Sequence, residues 1–231
     1  MKKDVVIKAV LFDLDDTLVN SNQAEFNAIC EFKRLYNEFV HIEDNEFAKQ
    51  WKKIAEKEYK KYFRGEISFE RQRIERMKEL FKCISKNISD EEAKKIFNWY
   101  LKSYEKNWRL FDDAEYILNY LKSKYKLAII SNGDGEQQRR KIKYTKLEKY
   151  FSDIFISSEV GHTKPGKEIF EIADKTINVA PENCVMIGDK LKVDIEGSLN
   201  AGMNAIWINR KNEKSDYKFQ IGELKELEKF L

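Results

Sequence analysis

A chain of 231 residues, 42% hydrophobic and 13% aromatic, can fill the core of one compact domain or of one domain with a sizeable insertion, which excludes global disorder. Its 43 basic and 40 acidic side chains nearly cancel, and a net charge of +3 spread along the chain gives no case for nucleic acid as a partner. Much of that charge reads as the solvated faces of long amphipathic helices.

In chain order, the first element is the apolar run Ala9-Val10-Leu11-Phe12, read as a strand buried on both faces. Residues 20–107 break away from this pattern and contain four long helical periodicities, at about 22–40, 44–63, 68–83 and 90–108. The last opens on Ser89-Asp90-Glu91-Glu92, a capping-box sequence, and Gly65 separates the second from the third. Short branched runs then return at Leu127-Ala128-Ile129-Ile130, Ile154-Phe155-Ile156, Cys184-Val185-Met186-Ile187 and Ala205-Ile206-Trp207-Ile208. Helical patterns over 113–124, 136–146, 167–176 and 193–201 accompany them, with Pro165 and Pro181 near helix starts. Strands alternating with helices predict an α/β fold with an open, doubly wound parallel sheet. The roughly ninety residues between the first strand and the next exceed any ordinary connection and predict an inserted helical module. The expected division is 1–19 with 108–231 as the α/β core and 20–107 as the insert.

No stretch approaches the roughly 18 apolar residues of a spanning helix, so no membrane partner is expected. Met1-Lys2-Lys3-Asp4 precedes too short an apolar run for a leader, and Lys8 interrupts that run. Cys30, Cys83 and Cys184 are odd in number and widely spaced, and read as buried free thiols in a reducing cytoplasm. His41 and His162, without a Cys–His cluster, argue against a histidine-rich metal site or a cysteine nucleophile. Nothing in the sequence fixes the oligomeric state.

Chemistry concentrates where the strands end. Asp13, Asp15 and Asp16 follow the first strand, and open parallel sheets bind ligands outside the carboxyl ends of their strands. Extended backbone alternates its side chains, which aims Asp13 and Asp15 to one side. Carboxylates so gathered repel one another unless a cation or a proton transfer uses them, and magnesium, a hard ion, suits oxygen ligands. The alternative is that the acids only cap the turn. Ser131-Asn132-Gly133 ends the second apolar run, where Ser131 can donate to a phosphoryl oxygen or serve as an ordinary turn residue. Lys164, in Thr163-Lys164-Pro165-Gly166, can neutralise charge shared by a phosphate and a carboxylate. Gly188-Asp189-Lys190-Leu191-Lys192-Val193-Asp194 follows the fourth run. Asp189 there can complete a metal site, and Asp194 can hold Lys164 or a metal-bound water, or simply favour a helix start.

These four segments, in this order, resemble the four signature motifs of the haloacid dehalogenase-like superfamily. Asp13-Leu14-Asp15-Asp16-Thr17 is similar to the first, Ser131 to the second, Lys164 to the third, and Gly188-Asp189 with Asp194 to the fourth. The motif-bearing segments span almost the whole chain, and helices inserted after the first motif resemble the all-α cap of the first subclass. The resemblance implies a Rossmann-like core with a helical-bundle cap, and a phosphatase cleaving a small-molecule phosphate monoester. It implies that Asp13 attacks phosphorus to form an aspartyl-phosphate, and that Asp15 protonates the leaving oxygen and later deprotonates water. Ser131, Lys164 and Asn132 would bind the phosphoryl group. Mg2+ would be held by the carboxylates of Asp13 and Asp189 and the backbone carbonyl of Asp15, with Asp194 behind them.

Lys190 stands where many relatives carry Ser or Thr, and either contacts substrate or faces solvent. His162 reads as structural. Within the resemblance, 2-haloacid dehalogenases are disfavoured by Asp15, Thr17 and Asp189, while phosphosugar mutases share all four motifs. A non-catalytic binding protein would have lost the nucleophile or the lysine, and neither is missing. Nucleoside monophosphates, phosphoglycolate and sugar phosphates are the substrate classes that the resemblance suggests, and the sequence resembles the nucleotidase-like members somewhat more. Arg64, Arg71, Arg73 and Arg76 in the insert are candidate specificity contacts, equally explained as surface charge and packing.

Overall fold

Ala9–Phe12 (β1) carries no side chain that water could solvate, and both faces are covered: all four residues are buried. In the computed structural model, which describes residues 5–231, β1 lies at the centre of a six-stranded sheet in the order β3-β2-β1-β4-β5-β6. The leader reading of Met1-Lys2-Lys3-Asp4 lies outside the described residues. The other strands are β2 (Lys126–Ser131), β3 (Asp153–Ile156), β4 (Cys184–Gly188), β5 (Asn204–Ile208) and β6 (Gln220–Ile221), and every pairing is parallel. The predicted doubly wound α/β fold is therefore present. A sixth strand joins the five expected; at two residues it is too short to leave a periodic signal.

Register brings the strand ends level. Phe12 pairs with Ile129 on one side and Ile187 on the other, so Asp13, Ser131 and Asp189 leave the sheet at one edge. The chain runs outward through β2 and β3, then crosses to β4 and outward again. That reversal beside β1 opens a crevice at the carboxyl ends of the strands.

The chain divides into two compact units, Met1–Ser21 with Arg109–Leu231, and Asn22–Trp108. In the first, α5 (Ala114–Leu121), α6 (Gly135–Tyr144), the short α7 (Ser157–Val160), α8 (Lys167–Ile177) and α9 (Glu196–Asn200) accompany the strands. One core cluster joins Leu11, Ile130, Phe170 and Met186. A π-helical turn at Leu191–Ile195 precedes α9, so the helix predicted over 193–201 is only Glu196–Asn200.

The second unit is helical. It holds α1 (Ser21–Lys33) from Asn22 onward, α2 (Asp44–Phe63), α3 (Phe69–Lys82) and α4 (Asp90–Lys106). The capping box is formed, with Glu92 accepting from the Ser89 amide at 2.8 Å and Ser89 from the Glu92 amide at 3.2 Å. Helix α1 ends at Lys33 rather than near residue 40. Beyond it the backbone turns through short bonds such as Phe39 N–H to the Tyr36 carbonyl, 2.9 Å, which drives Phe39 into the aromatic core against Phe47 and Phe81. Core packing there overrides helical periodicity. Of the four candidate arginines only Arg76 is buried, with its guanidinium 4.3 Å above the Trp51 ring and 3.3 Å from Glu25. Cys30 and Cys184 are buried, but Cys83, at the C-terminus of α3, is exposed, which corrects the expectation for that thiol. Among the described residues no helix is long and apolar enough to cross a membrane.

Candidate active site

After β1 the chain must turn while keeping two acids at the sheet edge. The Asp13 amide still donates to the Ile187 carbonyl at 2.8 Å, extending strand-like bonding by one residue. Asp16 then adopts φ 63°, a left-handed conformation that aspartate tolerates better than most residues, and its amide donates to the Val19 carbonyl at 2.7 Å. The turn separates the environments of Asp13 and Asp15.

Asp13 is almost wholly buried. Its Oδ1 accepts from Lys164 Nζ at 2.6 Å, and its Oδ2 from Thr17 Oγ1 at 3.2 Å. Lys164 is itself buried, bridging to Asp194 Oδ1 at 2.6 Å and donating to the Ile130 carbonyl at 2.7 Å. Asn132 holds the Lys164 peptide at both ends: its Nδ2 donates to the Lys164 carbonyl at 2.8 Å, and its Oδ1 accepts the Lys164 amide at 2.9 Å. The Asn132 side chain is thus engaged in placing the lysine.

Asp189 follows β4, its carbonyl fixed by Trp207 Nε1 at 2.8 Å, while its Oδ1 is buried with no hydrogen-bond partner. Asp194 Oδ2 accepts the Lys190 amide at 2.9 Å, which folds the loop back on itself. Lys190 is exposed; the carboxylates of Asp189, Asp13 and Asp194 raise its pKa against the desolvation that would lower it. Carboxylate oxygens of Asp13, Asp189 and Asp194 all lie within 4.8 Å of one another.

Asp15 faces another set of groups. Its Oδ1 accepts from Ser21 Oγ and Lys141 Nζ, and its Oδ2 from Gln138 Nε2 at 2.6 Å. The same Gln138 amide reaches Ser131 Oγ at 2.8 Å. Asp134 starts α6 by accepting the Gln137 amide at 3.0 Å, and the i, i+3 spacing then puts Gln138 and Lys141 on its buried face.

Electrostatics follow from these contacts. Burial pushes the Asp13 carboxyl up, Lys164 opposes it and Asp194 adds repulsion, leaving it at about 6. Asp189 is raised to about 8, by burial first and then by Asp13. Burial would also raise Asp15, but the Lys141 ammonium and three hydrogen bonds overcome it and hold the group at about 2. Pairs of carboxyls driven apart in this way mark acid–base and nucleophile sites.

The family model for haloacid dehalogenase-like hydrolases matches residues 7–202, which includes Asp13, Asp15, Ser131, Lys164, Asp189 and Asp194. The chain belongs to that family. Mouse N-acylneuraminate-9-phosphatase is 28% identical over 225 residues, covering 88% of this chain and 83% of the mouse protein. Glyceraldehyde 3-phosphate phosphatase of Methanothermobacter thermautotrophicus is 31% identical over 210 residues, covering 88% and 86%. The crystal structure of the haloacid dehalogenase-like hydrolase YfnB of Bacillus subtilis, solved bound to magnesium, superposes with a TM-score of 0.81 at 25% identity over 97% and 98% of the two chains. Within the haloacid dehalogenase-like family the chain stands with the phosphatase-type members.

The family's acidic site fits a magnesium ion on its own chemistry. Oxygen donors converge, one buried Asp189 oxygen has no hydrogen-bond partner, and two carboxyls are raised by burial and by a neighbouring carboxylate (Asp194 for Asp13, Asp13 for Asp189), repulsion that a cation would relieve. A cation bound there would compete with protons for the same oxygens. Below pH 8 the affinity of Mg2+ should weaken, by about tenfold per pH unit for each proton displaced, and it should level off above. Isothermal titration between pH 6 and 9 measures this; a pH-independent affinity refutes the competition.

Sequence reasoning brought Asp13, Asp15, Ser131, Asn132, Lys164, Asp189 and Asp194 forward, and all lie at this edge of the sheet. It passed over Ser21, Gln138, Lys141 and Trp207. A usable signal existed for two of them: Ile142 marks the buried face of α6, and Gln138 and Lys141 share that face as polar residues in core positions. Gly188 also has a site role. A Cβ there would lie 2.4 Å from Asp194 Cβ, closer than atoms approach. Gly188→Ala should displace Asp194 and cost about tenfold to a hundredfold in kcat/KM, as small misplacements in active sites do. Steady-state kinetics test it, and wild-type kinetics in this variant would show that Asp194 needs no such close approach.

Proposed function

We propose that the chain is a magnesium-dependent phosphatase that hydrolyses a small phosphate monoester through an aspartyl-phosphate on Asp13. The observation that carries this reading is the separation of two neighbouring carboxyls. Asp13 lies against Lys164 beside the carboxylate oxygens of Asp189 and Asp194, and Asp15 is clamped apart by Ser21, Gln138 and Lys141.

Asp13 Oδ attacks phosphorus, the bond from phosphorus to the leaving oxygen breaks, and Asp15 gives that oxygen a proton. Water then attacks the phosphorus of the acyl phosphate, Asp15 takes its proton, and Asp13 leaves as a carboxylate with inorganic phosphate released. In the resting site Asp15 is ionised, the form needed for the second half. The negative charge of a bound phosphate beside it favours the protonated form needed for the first. Lys164 and Ser131 hold the phosphoryl oxygens. Magnesium, carried by Asp13 and Asp189 with Asp194 adjoining, supplies positive charge against the charge of the reacting phosphoryl group.

The substrate we infer is a phosphate on the terminal carbon of a sugar or sugar-like acid. The reading is supported by two relatives that resemble this chain over most of its length and are named for the 9-phosphate of an N-acylneuraminate and for glyceraldehyde 3-phosphate. A phosphate-release screen with Mg2+ over those two compounds, nucleoside 5′-monophosphates and phosphoglycolate tests it. Release from the sugar-type esters, abolished by chelation, is expected. No release from any of them sinks the reading, and phosphate appearing on a second sugar hydroxyl instead of in solution makes the protein a mutase.

A further inference from the structure

Lysine is almost never fully buried unless it is paired, and Lys141 is only 2% exposed. It lies on the inward face of α6 beside Ile142, where a leucine or methionine would pack without the cost of desolvating an ammonium. What it meets there is Asp15 Oδ1, which also accepts from Ser21 Oγ. The other oxygen of the carboxylate accepts from Gln138 Nε2 at 2.6 Å, and that same amide lies 2.8 Å from Ser131 Oγ. Three donors from two segments thus fix both oxygens of Asp15, and Gln138 ties the carboxylate to the serine assigned to the phosphoryl group.

We propose that Lys141 is a positioning residue of the phosphoryl transfer. Its ammonium, with the Gln138 amide, holds the Asp15 carboxyl at the set distance from Ser131 at which it meets the leaving oxygen. The inference rests on the role given to Asp15 above. A side chain that only filled space would affect every substrate alike. One that aims a proton donor matters in proportion to how badly the leaving group needs a proton.

The experiment compares kcat/KM for p-nitrophenyl phosphate, whose leaving group departs without a proton, with kcat/KM for glyceraldehyde 3-phosphate, whose alkoxide does not. General acid catalysis contributes about 10²–10⁴-fold, so Lys141→Met should lose at least about a hundredfold on the alkyl ester and less than about tenfold on the aryl ester. Lys141→Arg, which keeps a charged donor, should recover part of the alkyl rate. In an Asp15→Asn background Lys141→Met should add no further loss, the mark of two residues acting as one unit. Equal losses on both esters overturn the proposal. If Asp15→Asn itself treats the esters alike, the role of Asp15 fails. If Asp15→Asn separates them and Lys141→Met does not, only the present inference fails. Gln138→Met, which removes the donor on the opposite oxygen, carries the same comparison should Lys141→Met not fold.

Discussion

Asp13→Asn should abolish turnover, lowering kcat by at least about a thousandfold, because an amide oxygen is too weak a nucleophile to form the covalent intermediate. The substitution is close to isosteric, so the reason for the loss can be isolated. Asparagine Oδ1 can still accept from Lys164 Nζ, which Asp13 Oδ1 receives at 2.6 Å, and Asp194 still neutralises the lysine from the other side. The carboxyl removed is one whose charged form burial and Asp194 already disfavour. Thermal unfolding at pH 8 should therefore show no lowered Tm. Acid quenching after mixing with radiolabelled substrate should trap covalent phosphate on the wild type and none on the variant. Wild-type turnover by a variant whose mass excludes deamidation would falsify the nucleophile assignment.

Much of this arrangement was legible in the sequence because a parallel sheet imposes a simple rule. Strands buried on both faces appear as short unbroken apolar runs, and whatever polar residue ends such a run stands at the ligand-binding edge. Asp13, Ser131 and Asp189 were found that way, and Lys164 and Asp194 by their place in the motif order. The residues that hold these in position were not, because their signal is relational. Trp207 reads as an ordinary strand residue until its Nε1 is seen to bond the Asp189 carbonyl, 18 positions away. Gln138 and Lys141 look like solvated polar residues of α6 unless Ile142 is taken to mark its buried face, and only packing on the sheet shows that this face turns them toward Asp15. Arg210 shows the same limit. It makes a two-pronged ion pair with Asp113, at 2.9 and 3.0 Å, and donates to the Thr17 carbonyl at 3.2 Å. That bonding braces the turn behind the acids from a segment that carries no motif.

The premature end of α1 and the π-helical turn before α9 have a common origin. In both places a side chain takes precedence over the backbone pattern: Phe39 enters the aromatic core, and Asp194 turns inward to Lys164. Local propensity is worth tenths of a kcal/mol per residue, about 0 to 0.7 for ordinary residues, whereas leaving a large aromatic unburied or a buried lysine without its counter-charge costs several times that. Sequence periodicity therefore fails where packing or charge pairing demands a different backbone.

Lys164→Met should give the second large effect, and its pH signature separates it from a simple loss of a phosphate contact. Lys164 is the shared counter-charge of two buried carboxylates, at 2.6 Å from each. Breaking a buried ion pair by removing one partner costs about 3–5 kcal/mol, because the remaining charge is stranded. Loss of a cation aimed at the reacting phosphoryl group should lower kcat/KM by about a hundredfold to a thousandfold. The sign of the stability change with pH follows from linkage. Asp13 already titrates at about 6 with the lysine present, against a usual carboxylate value near 4, and without the lysine it must rise further. An acid whose folded pKa exceeds its unfolded one binds protons more tightly when folded, so it lowers stability as pH rises between those two values. The variant should stand nearest to the wild type around pH 4–5, where the Asp13 carboxyl is largely protonated, and fall progressively behind it up to pH 8 and beyond. Thermal unfolding of both proteins in chelator across that range measures the gap. A gap of constant size at every pH would mean that Lys164 contributes only packing, and that the charge bridge between Asp13 and Asp194 has no energetic role in the site.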